Sequence, residues 1–545
     1  MGSLGYSINP ALTFIPTSRY GLAGVPISIG GKIMQHPSFR SKKLARALIS
    51  VVVATGVLAS ASTASANQRT TGKKSDTLGI VSAVEPANMN PVKQANSFGN
   101  FWEQVQEPIV KLSSNFKITK KGLITNWKQT VPGTWRLTLR SGVKFTNGEP
   151  WDAAALAFTM TTYRDTVGAP MRAYLTKLTT TKVVSPTVLE AVFSAADSSI
   201  PAVLSSVRAL PPVYYAKVGH DAFGLNPVGT GPYKFKSWTK GVELRLERND
   251  KYWGTKARIK NLAFSFSADS DTRASLLATG AVDFAIQVPI QRIARLNNAK
   301  TSVVQREDRV QMALFFMGQK TQLKEVELRK AASLAVNVKL ITDKVLLGKG
   351  GKPNCSLLLP LLAKPAFPGC AKQNLAAARA ITAKYKNPTI TFNYGPARGP
   401  SDEAVAQAVA SQLRAAGFTV NMAPADYNTV TVNLVLGRSE GIVMFAISPV
   451  FPQPNVYAQG FLTPTSITKN CLAPGMADLA AKALSAATPA KADLNYKEME
   501  RVAIAEQYCM LPLYNEIKNW GLSKSVGGFI APPAVVIDWS KLFWK

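Results

Sequence analysis

From Thr77 onward, runs that alternate apolar and polar residues are interleaved with runs that repeat every three or four, and this interleaving limits the chain to an α/β or mixed α+β fold, with mixed β-sheets flanked by helices. W-R-L-T-L-R puts Trp135, Leu137 and Leu139 on one face, as a half-buried strand does. Asn147-Gly148 then marks a tight turn, and Asp152 is placed to cap the helix that follows. A second strand pair, T-T-K-V-V-S-P-T-V-L-E-A-V-F, surrounds Pro186. In residues 226–238, N-P-V-G-T-G-P-Y-K-F-K-S-W, a glycine-rich loop precedes a strand, the reverse of the strand, loop, helix order that cradles phosphate. Tyr233 and Phe235 share one face, Lys240-Gly241 sits in a turn, and Val242, Leu244 and Leu246 alternate along the return, so the stretch reads as a hairpin. Gly229 and Gly231 supply positive φ angles or close backbone approach in the loop.

Helical spacing runs from Asn96 to Leu112 through Phe98, Phe101, Trp102, Val105, Ile109 and Leu112. Further helices are predicted from about Thr272 to Thr279, Val326 to Leu347, and Asp402 to Ala416 before Gly417. Strand signals lie between them in T-L-G-I-V-S-A-V, N-L-A-F-S-F-S, V-D-F-A-I-Q and V-Q-M-A-L-F-F-M.

A chain of 545 residues exceeds what one core organises, so two or three lobes are expected. Arg40, Lys42, Lys43 and Arg46 precede the apolar run A-L-I-S-V-V-V-A-T-G-V-L-A, which ends in Ala64-Ser65-Ala66; this is a secretory leader with an A-x-A cleavage site. The mature protein is expected to start at Asn67, with translation beginning at Met1 or Met34. No cysteine stands at the cleavage site, so the expected product is exported, periplasmic or extracellular, and not lipid-anchored there. No transmembrane segment is expected in the mature chain.

Removing residues 1–66 takes away six of the 64 Lys and Arg and none of the 32 Asp and Glu, which leaves a net charge of +26. Such a balance suits either a solvated basic surface or attraction to an anionic partner such as a cell-wall polymer. Nucleic acid is not an expected partner of an exported chain without a recognition motif. Cys355, Cys370, Cys471 and Cys509 form an even set for which disulfides are the default; among three connectivities, Cys355 with Cys370 and Cys471 with Cys509 are favoured. No metal site is expected: C-x-x-C is absent, and His220 is the only histidine after the leader.

Four segments in order resemble one family, the family 5 solute-binding proteins that serve peptide- and nickel-type ABC importers. They are W-R-L-T-L-R-S-G-V-K-F-T-N-G-E-P-W-D-A, then N-P-V-G-T-G-P-Y-K-F-K-S-W with L-E-R-N-D-K-Y-W-G, then F-F-M-G-Q with L-R-K-A-A-S-L-A-V-N-V-K-L-I. The resemblance implies a two-lobed periplasmic-binding-protein-like fold of type II, in the large cluster with an extra subdomain and a hinge between the lobes. The implied division is lobe I from 67–112, 225–322 and 512–545, an inserted subdomain at 113–224, and lobe II at 323–511. It also implies a ligand enclosed between lobes, ABC permease subunits as partners, a monomer, no cofactor and no catalysis. The Gly-Thr-Gly of residues 229–231 is expected beside a lobe crossing, as scaffold.

Peptide-binding members of that family hold the ligand's amino group with an aspartate in a second-lobe segment similar to G-I-V-M-F-A-I-S-P-V-F-P-Q-P here, which puts Val450 at the aspartate's place and Ile447 at a tryptophan's. No acid occurs between Gly441 and Ala458, so peptides with a free N-terminus are disfavoured, and the lack of histidine disfavours nickel. The cleft candidates are Phe98, Trp102, Phe315, Phe316, Met317, Phe445, Ile447, Ser448, Val450 and Phe451, a surface for a small-molecule or peptide-like ligand with apolar faces. The literal G-x-S-x-G at 437–441 precedes a strand and lacks a histidine base, so no hydrolase is expected. The alternative function is a basic secreted protein that binds anionic surface polymers.

Overall fold

The run T-S-V-V-Q-R-E-D-R-V-Q-M-A-L-F-F-M forms one strand, Thr301–Met317, mixed in burial over its first half and buried at every position from Val310 on. A strand apolar on both sides needs cover on both faces. Phe315 and Phe316, each fully buried, point into two different cores.

The computed structural model in which this strand is seen describes residues 76–545 except 94–98, 319–320, 359–371, 397, 464–465, 467–472, 474, 487 and 533–535. The expected leader, the Asn67 start, Phe98, Cys370 and Cys471 lie outside the described residues. Both favoured cysteine pairings therefore fall there too, and no described cysteine is free.

Thr301–Met317 pairs antiparallel with a second long strand, Met510–Ser523, with register slips between Glu307 and Gln311 and between Met312 and Ala313. Beside its buried half, Gly441–Ile447 pairs from Gln311↔Ile447 to Met317↔Gly441, followed outward by Thr389–Tyr394 and Thr419–Pro424. At the other end, Phe284–Ile286 pairs with residues 520–522 and leads to Thr77–Ser82, Asn261–Phe266 and the expected hairpin, Tyr233–Thr239 with Glu243–Arg248. The result is one eleven-stranded mixed sheet, with Gly351–Pro353 paired off the main path. Among the described strands the two long ones join its two halves.

A separate antiparallel sheet has the order Ile124–Val131, Thr134–Leu139, Val188–Phe193, Leu178–Ser185, and buries Trp135, Leu137 and Leu139 as their spacing requires. Helix Ala153–Asp165 starts where Asp152 accepts a 2.9 Å bond from the Ala155 amide, and Ser270–Thr279 starts under Asp269 and stops at Gly280 with φ 79°. Asp402–Ala415 ends before Gly417, φ 95°, as expected. Among the described residues no helix is long and apolar enough to cross a membrane.

Three expectations are corrected. Val242 sits in the hairpin turn, 63% exposed, and the return strand begins at Glu243. The helix expected over Val326–Leu347 breaks after Ala335, where the Asn337 side chain accepts from the Leu340 amide at 2.8 Å and starts a new turn. The helix expected over Asn96–Leu112 is formed only at Gly99–Trp102 within the described residues. Beyond it the backbone bonds across to other segments: the Gln104 and Val105 carbonyls accept from Tyr233 and Gly231, and the Ile109 amide donates to Val207. Pro108 has no amide to offer a helix. The spacing of three and four reflects a segment enclosed on several sides.

Candidate functional site

Residues 103–108, which leave the short helix Gly99–Trp102, are held from three directions. A Cβ at Gly229 would stand 2.0 Å from the Val105 carbonyl oxygen, and one at Gly231 would stand 2.2 Å from that of Gln104. Neither glycine has positive φ, so close approach is their role. They lie where the hairpin meets residues 104–106 and the Thr146 amide. Between them, Thr230 donates to Glu107 at 3.1 Å. From L-E-R-N-D-K-Y-W-G, the Tyr252 hydroxyl donates to Glu107 at 2.5 Å and the Trp253 indole at 2.7 Å. Burial pushes the Glu107 carboxyl up, against these three donors and the Lys111 charge, which pull it down.

Glu103 is ion-paired with Arg208, whose side chain is 3% exposed and also donates to the Ser205 carbonyl at 3.0 Å. Burial pushes the Glu103 carboxyl up despite the guanidinium beside it. The segment carrying Arg208 also touches residue 450, where the Ser206 hydroxyl donates to the Val450 carbonyl. Next to that contact, Tyr174 meets Phe451 edge-on at 4.9 Å.

These groups line a cavity of about 250 Å³. Glu103, Glu107, Lys111, Arg208 and Tyr252 line it together with Ser448, Pro449 and Val450, and with Ile530, Ile537, Asp538 and Lys541 near the C-terminus. Among the described residues three acids (Glu103, Glu107, Asp538) and three bases (Lys111, Arg208, Lys541) line it, so their charges balance.

Of the expected cleft residues, the structure brings Ser448 and Val450 to this cavity. The remaining described candidates are corrected to core positions. Trp102 is 1% exposed against Phe264 and its neighbours. Phe315, Met317, Phe445, Ile447 and Phe451 belong to one core, with Phe445 stacked on Tyr427 at 5.3 Å, and Phe316 lies in another. Strands covered on both faces leave such side chains no solvent side. His220 is away from the cavity, with Nδ1 3.0 Å from Asp221. Gly437–Gly441 connects helix Tyr427–Val435 to strand Gly441–Ile447, the reverse of a nucleophile elbow.

Glu103, Glu107 and Arg208 were missed in the sequence. Glu103 and Glu107 lie between the apolar positions that carried the helical reading, and Arg208 is a lone base in the apolar run S-S-V-R-A-L, a pattern that signals a buried, paired charge.

Residues 119–469 match the profile of the bacterial extracellular solute-binding proteins, family 5 Middle. The nickel-binding periplasmic protein of Escherichia coli (strain K12) is 28% identical over 261 residues, 45% of this chain and 48% of that protein. The glutathione-binding protein GsiB of Salmonella paratyphi A is 29% identical over 171 residues, 31% of this chain and 33% of that protein. The chain thus spans about half, or less, of the curated relatives it matches. The dipeptide-binding protein of Pseudoalteromonas sp. SM9913, solved in complex with Met-Leu, superposes with a TM-score of 0.76 at 20% identity, over 86% of this chain and 100% of that one. At that identity the likeness shows the fold, that of periplasmic binding proteins.

Proposed function

The chain belongs to the family 5 bacterial extracellular solute-binding proteins, and from that premise we propose that it is the extracytoplasmic receptor of an ABC importer, which encloses a small-molecule or peptide-like solute and delivers it to permease subunits. The observation that carries this reading is the cavity lined jointly by residues between 103 and 208 and by 448–450, segments far apart in the chain. Lobe I is formed by 67–112, 225–322 and 512–545, the inserted subdomain by 113–224 and lobe II by 323–511. The hinge is the slipped part of the ladder around residues 307–311 and 515–517, where two strands bend more easily than a packed core. Ligand touching both sets of lining residues stabilises the closed form; no bond is made or broken.

Nickel and peptides held by their N-terminus at Ser448-Pro449-Val450 are disfavoured, because that segment offers no carboxylate or imidazole. The mature protein acts as an exported monomer with its four cysteines paired as Cys355–Cys370 and Cys471–Cys509.

Native against denaturing mass spectrometry on residues 67–545, purified from their own source, tests the receptor. A discrete excess mass lost on denaturation is expected. No excess mass, together with retention on an anionic wall polymer at physiological salt, would replace the receptor by the polymer-binding reading, which the +26 charge outside the cavity favours.

A further inference from the structure

We propose that the outer face of the four-stranded antiparallel sheet docks a polyanion of the cell-wall type, a hydroxylated chain that carries phosphate or carboxylate groups. The inference goes beyond the receptor reading, because it assigns a surface that holds the protein at an anionic envelope while the cavity serves the solute.

One face of that sheet is packed on the core through Trp135, Leu137, Leu139, Leu189 and Ala191. Side chains alternate along a strand, so the residues between these face outward. The register then sets four charged side chains on one rung: Lys128 opposite Arg136, Arg136 opposite Glu190, and Glu190 opposite Lys182. The three bases are exposed and Glu190 is half-buried. Arg136 reaches Glu190 at 3.8 Å, while Lys128 and Lys182 make no ion pair among the described residues. The rungs on either side are uncharged, with Asn126, Thr138 and Val188 on one and Thr134, Val192 and Thr180 on the other. At these positions Glu190 alone opposes three bases.

The hairpin strands at the edge of the main sheet are built differently. Their bases are neutralised in place: Lys234 and Lys236 pair with Glu247, Arg245 with Glu243, and Arg248 with Asp250. On the four-stranded sheet the two outer lysines have no such partner, so their positive potential is left to an anion from outside.

Strands lie about 4.8 Å apart, which puts Lys128 and Lys182 about 14 Å from each other across an open surface. No single small anion spans that distance, whereas a chain lying across the strands does. The threonine hydroxyls and the Asn126 amide beside the rung offer hydrogen bonds to a hydroxylated backbone. None of these positions carries an aromatic side chain for stacking bases or a long apolar one for entering a bilayer, which favours a wall polymer over nucleic acid or lipid.

The test is adsorption of residues 67–545 to immobilised poly(glycerol phosphate) between about 50 and 200 mM salt, with phosphatidylglycerol vesicles as the lipid arm. The triple variant Lys128→Gln, Arg136→Gln, Lys182→Gln should bind at least about tenfold more weakly, with a salt slope reduced by about two. A control triple that removes the same charge from exposed positions around helix Leu375–Thr382, Lys372→Gln, Lys384→Gln, Lys386→Gln, should change binding less than about twofold. Glu190→Gln removes the one acid of the rung and should tighten binding, a gain that misfolding does not produce. Equal losses in the two triples would mean diffuse attraction and overturn the docking face. So would tighter binding to the vesicles than to the polymer, or a Glu190→Gln variant that binds no better than the parent. The co-purified mass described above decides the receptor separately.

Discussion

Asp308 lies on Thr301–Met317 at the slipped part of the ladder and is 2% exposed. Its Oδ1 accepts from the Arg309 amide at 2.7 Å, and no described residue donates a hydrogen bond to its Oδ2. Burial, aided by the Glu516 charge and opposed by Lys518, pushes its carboxyl up to about 6 from an ordinary value of 3.8. A raised acid holds its proton more tightly folded than unfolded, so between about pH 4 and 6 the folded chain binds more protons and stability falls as pH rises. Above the folded pKa the penalty is complete, at about 3 kcal/mol for a shift of roughly two units. Asp308→Asn removes it. The amide nitrogen replaces an oxygen that had no donor, and leaving it unpartnered costs about 1–3 kcal/mol at every pH. That offset does not titrate, so the pH dependence isolates the charge. Urea unfolding of both proteins at about pH 4.5, 6 and 7.5 should show the variant gaining on the parent by about 2 kcal/mol across the series, since about 1 kcal/mol of the penalty is already present at the lowest pH. A difference that stays flat with pH would refute a buried, destabilised carboxylate at this position.

Gly231→Ala places a Cβ against the Gln104 carbonyl and should cost about 1–3 kcal/mol in unfolding free energy, with weakened ligand binding because Glu103 and Glu107 shift with that backbone. Tyr252→Phe removes a charge-assisted bond to buried Glu107 and should lower stability by about 1.5–3 kcal/mol without altering the fold seen by circular dichroism. Ser439→Ala, in the turn before Gly441–Ile447, should leave unfolding and ligand binding within about 0.5 kcal/mol of the parent; a loss of any hydrolytic activity on this change would instead restore the nucleophile reading. Mass spectrometry of the denatured, unreduced chain should find it lighter than the reduced chain by two hydrogens for each of two disulfides.

Where local chemistry decides the conformation, the sequence was readable. Asp152 and Gly417 mark helix ends through one side chain or one φ angle, and the structure has those ends in place. The long strand was legible only as its apolar half, because the first half alternates imperfectly and its pairing with Met510–Ser523 joins residues some two hundred positions apart. The site was least legible. Aromatic residues suggested a cleft, yet most are core, since apolar character marks burial without saying against what. Glu103, Glu107 and Arg208 become a site only when residues 103–108, 204–208 and 448–450 meet, and nothing local in any of the three announces the others.

The same meeting of segments settles what the chain's charge means for the site. A net charge of +26 invites the idea of an anion receptor, but the six charged groups that line the cavity among the described residues balance. At the Debye length of about 8 Å in physiological salt, basic residues on the outer surface act weakly on a ligand enclosed beside Glu103 and Arg208. Surface charge can therefore steer the protein toward an anionic envelope while leaving ligand choice to the side chains that line the cavity. Salt separates the two: added salt should weaken adsorption to anionic polymer steeply and the affinity for the enclosed solute much less, because paired, partly buried charges are poorly screened.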